Sequence, residues 1–383
     1  MTSIKSLIPY MRPLSVKSYS QCLKSSAATT TTSKPATTTT TTKTTTTTTS
    51  TQAPAGKLTY RGADISSLPM LESSGIKYSD NGQTLAFETI LKNHGMNTAR
   101  IRIWTAGTYN LNYGLALAKR IKAAGMTLIV DLHYSDTWAD PAHQSIPSGW
   151  PTDLAGLNTK IWTYTKDLVT SFSSQGTPID ILQVGNEIND GLLWPVGKIS
   201  TNGFSPASQL LNSAINGAKA AASPKIMIHI ANGWNWSGVS WFFNGIYIQG
   251  ALASTAVDII GVSFYPFYDS GATLANLKTS LTNAANTYGK PIVVAETDWP
   301  VSCSGGPSLT EPSIPISAAG QQTWVGDVRT VLQGLPGGKG QGILYWEPGW
   351  IGNANLGSGC GDNLIVSSTG ATRTSINMFS ANM

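Results

Sequence analysis

With 383 residues the chain is long enough for one large barrel or two ordinary domains. Its net charge is +5, yet residues 1–57 hold seven Lys or Arg and no Asp or Glu, which leaves −2 for the remainder. The basic balance therefore belongs to the leading segment and gives no support to a nucleic-acid partner. Three cysteines without CxxC spacing offer no zinc cluster, and no apolar run is long enough to span a membrane.

The chain opens without an apolar signal core, because Ser6–Val16 is interrupted by Pro9, Arg12 and Pro13. Tyr19-Ser20-Gln21-Cys22-Leu23 resembles the closing residues of a fungal-type cellulose-binding module, so residues 1–26 read as the remnant of one, without stable structure. Residues 27–57 form a Thr-rich linker with too little apolar surface to offset chain ordering, and dense Thr beside Pro suits O-glycosylation. We expect the sequence to begin inside a longer secreted protein, whose signal and most of whose module lie upstream. That would also account for a lone Cys22.

From Leu58 to Met383 short apolar runs alternate with helix-like segments. Eight strands are expected at Tyr60–Ile65, Thr98–Trp104, Thr127–His133, Ile181–Glu187, Lys225–Ala231, Asp258–Tyr265, Pro291–Glu296 and Gly342–Glu347. Helices are expected at Leu85–Asn93, Leu115–Ala124, Leu157–Ser173, Ser205–Ala222, Leu274–Tyr288 and Gln321–Gln333. Strands rich in Ile and Val with helices between them predict a parallel sheet buried on both faces. Their number predicts an α/β fold of the closed (β/α)8 TIM-barrel type behind the Thr-rich tail. Neither GxGxxG after the first strand nor GxxxxGK[ST] anywhere supports nucleotide chemistry.

Seven of the strands end in residues ill suited to a dry core: Asp64, Arg102 with Trp104, His133, Asn186-Glu187, Tyr265, Glu296 and Trp346-Glu347. In such a barrel those ends converge on one face, where active sites are built. Glu187 closes the fourth strand and Glu296 the seventh, so their carboxyl groups can face each other across the mouth. Glycoside hydrolysis needs that pairing, one carboxylic acid for the leaving oxygen and one carboxylate on the opposite side of the ring. Whether the outcome is retention or inversion depends on their separation, which spacing in sequence does not supply.

The motifs carry a resemblance. Asn-Glu on strand four and Glu on strand seven resemble the retaining (β/α)8 glycosidases. Arg61–Leu68 (RGADISSL), Arg102–Trp104 (RIW), His133–Pro141 (HYSDTWADP), Gly185–Ile188 (GNEI), Gly191–Pro195 (GLLWP), Tyr265–Tyr268 (YPFY), Glu296–Pro300 (ETDWP) and Tyr345–Trp350 (YWEPGW) are similar, in order, to glycoside hydrolase family 53, the arabinogalactan endo-β-1,4-galactanases. The resemblance implies double displacement on β-1,4-galactan, with Glu296 as nucleophile and Glu187 as acid/base; no cofactor or metal is expected. It implies that Arg102, His133 and Tyr265 position the nucleophile, that Asn186 holds the sugar 2-hydroxyl and that Trp346 floors the −1 subsite. Asp64, Asp136, Trp104, Trp138, Trp194, Trp234, Trp299 and Trp350 are candidates for further substrate contacts. Some relatives bind calcium in an acidic loop after strand seven. Here that loop reads PVSCSGGP, and the fungal-type members imply a Cys303–Cys360 disulfide in the ion's place. A secreted monomer acting on polysaccharide, without nucleic-acid or membrane partners, is expected. A mannanase or cellulase with the same pair, or a non-catalytic carbohydrate-binding barrel, is the alternative. The sequon Asn235-Trp236-Ser237 lies too near the expected cleft to be glycosylated.

Overall fold

The structure, a computed structural model, describes residues 56–383. The expected module remnant and nearly all of the Thr-rich linker lie outside the described residues. Eight parallel strands close into a barrel: β1 (Tyr60–Asp64), β2 (Thr98–Ile103), β3 (Thr127–Leu132), β4 (Ile181–Val184), β5 (Lys225–Ile230), β6 (Ile259–Ser263), β7 (Ile292–Thr297) and β8 (Gly340–Tyr345). Closure is complete because β1 pairs with both β2 and β8. Helices surround the barrel as the alternation predicts: α1 (Phe87–Asn93), α2 (Leu111–Ala123), α3 (Leu154–Ser174), α4 (Phe204–Ala221), α5 (Trp236–Asn244), α6 (Leu274–Tyr288) and α7 (Ala318–Gln333). Five begin on an N-cap side chain (Asn110, Asp153, Asn235, Thr273 and Ser317) that accepts a bond from a first-turn amide. Asn235 of the sequon caps α5 through its Oδ1.

Several elements are absent from the sequence reading, two of them notable. A hairpin, Tyr78–Asp80 with Gln83–Leu85, turns through Asn81-Gly82, both at positive φ; the Asn-Gly signal was there to be read. Helix α5 was lost among loop-like Trp, Asn and Gly. Several strands also end earlier than expected. β4 stops at Val184 because Gly185 (φ 85°) and Glu187 (φ 48°) turn the chain out of the ladder.

The barrel interior is layered. Ile129, Ile181, Met227, Ile259, Val293 and Leu344 fill its lower part with apolar side chains. One dyad nearer the mouth, at the same strand parity, stand Asp64, Arg100, Asp131, Gln183 and His229, all buried. Outward-facing strand residues such as Ile101 and Val294 pack on the helices. β7 breaks the alternation. Val262 pairs with Val294 but Ser263 with Glu296, and Ile343 pairs with Val294 but Tyr345 with Thr297. β7 therefore carries one extra residue relative to both neighbours, a bulge. Val293 and Ala295 face inward, so strict alternation would turn Glu296 outward; the bulge returns it to the mouth.

Candidate active site

Arg100 is the hub of the polar layer. Its Nη1 donates to Asp64 (3.0 Å), its Nε to Gln183 Oε1 (3.0 Å), and its Nη2 lies near Asp131 (2.8 Å), Asn186 Oδ1 (2.9 Å) and Glu296 Oε1 (2.9 Å). Tyr265 donates its hydroxyl to the other oxygen of Glu296 (3.0 Å). Glu296 is thus held by a guanidinium on one side and a phenol on the other, and each favours its charged form. Burial pushes its carboxyl upward, with Arg100 and the Tyr265 bond opposing.

Glu187 stands in a different environment. It accepts from Ser263 Oγ at 2.6 Å and meets no cation directly. Burial, and after it the charge of Glu296, pushes its carboxyl up to about 8. Of the two coupled acids Glu296 releases its proton first and Glu187 keeps one, because only Glu296 touches Arg100. Glu187 sits at positive φ, which a non-glycine residue adopts at some cost in energy, so its placement is imposed by the surrounding fold.

Two of the expected supporting roles need correction. Arg102 does not touch Glu296. Its Nη1 donates to Glu347 (2.5 Å) and lies 3.5 Å from Asp64. Its guanidinium carbon lies 4.1 Å from the Tyr109 ring centre, 4.4 Å from Trp138 and 5.2 Å from Trp350. Arg102 organises an aromatic wall, and Arg100, two residues earlier on the same face, holds the nucleophile candidate. His133 also acts indirectly. Its Nδ1 accepts from Ala139 N–H (2.9 Å), so Nε2–H donates to Asp131 (3.0 Å), which in turn holds Arg100.

The expected substrate contacts divide. Trp104, Trp138, Trp346 and Trp350 are half-buried and gather at the mouth, Trp138 lying 5.3 Å from Trp104 and 6.1 Å from both Trp346 and Trp350. Trp194 and Trp234 are also half-buried, Trp194 beneath Lys198 Nζ (4.4 Å). Trp299 is not a subsite residue. It is fully buried, stacks on Trp324 of α7 at 5.1 Å and donates to Pro315 O (3.0 Å), because the chain folds back over the barrel after β7. Asp64 is likewise unavailable, both oxygens being engaged by Ser66, Arg100 and Arg102. Asp136 accepts from Thr105 (2.6 Å) and the Ser148 amide (2.8 Å), tying loops together. Asn186 accepts from Arg100 and donates to Ala139 O (2.8 Å), which leaves one amide hydrogen free. Cys303 and Cys360 form the expected disulfide between the loops after β7 and β8. Among the described residues, no group of three or more His, Cys, Asp or Glu is placed to hold a metal ion.

Residues 60–379 match the family model described as glycosyl hydrolase family 53. The chain belongs to glycoside hydrolase family 53. It is 49% identical over 339 residues to a probable arabinogalactan endo-β-1,4-galactanase A of Neosartorya fischeri, covering 85% of this chain and 94% of that protein. It is 45% identical to an arabinogalactan endo-β-1,4-galactanase of Thermothelomyces thermophilus, covering 84% and 99%. A solved structure from a study of two fungal β-1,4-galactanases superposes with a TM-score of 0.82 at 45% identity, over 85% of this chain and 99% of that one. The catalytic domain of a family 53 protein from Ignisphaera aggregans gives 0.75 at 28% identity, over 84% and 95%.

Beyond the expected residues, the structure places Arg100, Asp131, Gln183, His229, Ser263 and Asp298 in the buried surroundings of the two glutamates. Asp298 is fully buried, and neither carboxyl oxygen has a well-formed hydrogen bond. Burial, and then the charge of Glu296, raise it well above the carboxylate range, the Trp346 backbone offsetting only part. Folded protein therefore keeps a proton that unfolded chain releases, and stability is lost as pH rises from the unfolded carboxylate pKa toward the folded one. Asp298→Asn should raise stability at pH 7 by about 1–3 kcal/mol and flatten the pH dependence of Tm between pH 4 and 8. Thermal melts across that range check it; a variant that melts lower at pH 8 than the parent would show a paired, ionised Asp298.

Proposed function

We propose that this family 53 chain is a secreted, retaining endo-hydrolase of β-1,4-galactosidic linkages in (arabino)galactan, as in the side chains of pectin. The unequal treatment of the two glutamates carries the reading. Glu296, clamped by Arg100 and Tyr265, is suited to act as a carboxylate; Glu187, half-buried without a cation, is suited to hold a proton at neutral pH. The galactan specificity is supported by the relatives' named activity and by motifs shared along the whole barrel.

In the first step a Glu296 oxygen bonds to the anomeric carbon while the glycosidic C–O bond breaks, and Glu187 gives its proton to the departing oxygen. In the second, Glu187 takes a proton from water as the water oxygen bonds to the same carbon and the Glu296 ester bond breaks. The free amide hydrogen of Asn186 is available to the 2-hydroxyl, and Trp346 offers a stacking face at the −1 position. Trp104, Trp138 and Trp350 continue that aromatic surface, with Trp194 and Trp234 as outer contacts. Secretion is supported by the Cys303–Cys360 bridge, which forms in oxidising compartments.

Reducing-sugar release from β-1,4-galactan, mannan and cellulose tests the reading. Rapid release of mixed oligosaccharides from galactan alone is expected. Preference for mannan or cellulose would move the chain to another specificity, and silence on all three would favour a binding role.

A further inference from the structure

His229 is fully buried at the end of β5, and no step above uses it. Its Nε2 lies 2.9 Å from Ser263 Oγ, which lies 2.6 Å from Glu187 Oε1. Its Nδ1 lies 3.0 Å from both Gln183 Nε2 and Asn186 Oδ1, one a donor and one an acceptor. Neither amide can flip. Gln183 Oε1 faces Arg100 and its Nε2 faces Asp131 (2.5 Å), while Asn186 Oδ1 faces Arg100 and its Nδ2 faces Ala139 O. Burial and the Arg100 charge hold the imidazole neutral, well below its ordinary pKa.

A neutral imidazole leaves two arrangements. With the proton on Nδ1, His229 donates to Asn186, Ser263 donates to Nε2, and Glu187 must spend its acid proton on Ser263. With the proton on Nε2, Gln183 donates to Nδ1, His229 donates to Ser263, and Ser263 donates to Glu187 Oε1. Arg100, bonded to the two amides flanking Nδ1, disfavours a proton there. The second arrangement leaves Glu187 Oε2 as the place for the acid proton.

We propose that Ser263 and His229 are positioning residues that fix which oxygen of Glu187 carries the catalytic proton. In the first step that proton leaves Oε2 for the glycosidic oxygen; in the second it returns to Oε2 from water. Ser263 and His229 keep their own protons throughout. The same chain runs through Gln183 to Arg100, so the two glutamates share one buried frame. The other groups acting on Glu187 are Glu296 and Asp140, which disfavour its ionisation, and Arg100, which favours it; Tyr265 and Tyr268 stand near as neutral phenols.

The inference rests on Glu187 as the acid/base. The test is the pH profile of kcat/KM on galactan and on a dinitrophenyl β-galactobioside, whose leaving group needs no acid. Ser263→Ala and His229→Leu should move the alkaline limb upward by about one pH unit, since the ionised form loses a donor. Both should lose about tenfold or more on galactan and much less on the aryl substrate. His229→Gln, which keeps a donor toward Ser263, should leave the limb near its original place. An unmoved limb with equal losses on both substrates would overturn the proposal. Should His229→Leu not fold, Ser263→Ala decides alone, because it removes a single oxygen. A limb that also survives Glu187→Gln would instead overturn the acid/base assignment itself.

Discussion

Glu296→Ala should abolish galactan hydrolysis, with kcat falling by at least about 10⁴-fold. The variant removes the atom that bonds to the anomeric carbon, and neighbouring groups offer no replacement. Arg100 and Tyr265 both donate toward that place, so the vacated space keeps a positive lining suited to a small anion. Added azide should therefore restore turnover of a dinitrophenyl β-galactoside. Entering from the nucleophile's side, it should give the α-galactosyl azide, whose configuration is read by NMR. Residual hydrolysis within about tenfold of the parent, or a β-azide, would place the nucleophile elsewhere.

Glu187→Gln should lower kcat/KM on galactan by about 10²–10⁴-fold, with a far smaller loss on aryl substrates of low leaving-group pKa. The pH profile separates this from simple misplacement. Activity requires Glu187 protonated and Glu296 ionised, so the parent's alkaline limb falls as pH rises through the Glu187 value of about 8. Glutamine does not titrate, and that limb should disappear while the acidic limb remains. An alkaline limb that persists would belong to another group.

The barrel and its pair of glutamates were legible because both rest on strong signals: Ile/Val-rich strands alternating with helices, and acids at strand ends. What could not be read was depth. Arg100 and Arg102 share a face and differ by one dyad, and the rule that sites lie at the strand ends favours the outer one. The polar layer begins a step lower, with Asp131 beneath His133 and Gln183 beneath the Gly185 turn. Arg100 before Arg102 and Asp131 before His133, each two positions earlier on the same face, were the available signal. Trp299 shows the opposite failure. Its neighbours in Glu-Thr-Asp-Trp-Pro suggest a cleft, yet the turn after β7 puts the ring against Trp324, and only the path of the chain reveals that. Ser263 and His229 gave no sign, since a serine and a histidine at interior strand positions are silent until their partners are placed.

The extra residue in β7 makes the aim of Glu296 depend on a count rather than on composition. Were β7 to straighten at its present length, every catalytic side chain would remain and the barrel could stay closed, yet Glu296 would present its carboxylate to the helices. Reactivity here is encoded as phase. Descent from this fold can therefore lose or regain its chemistry by flattening or restoring one bulge, without exchanging any amino acid that touches the sugar.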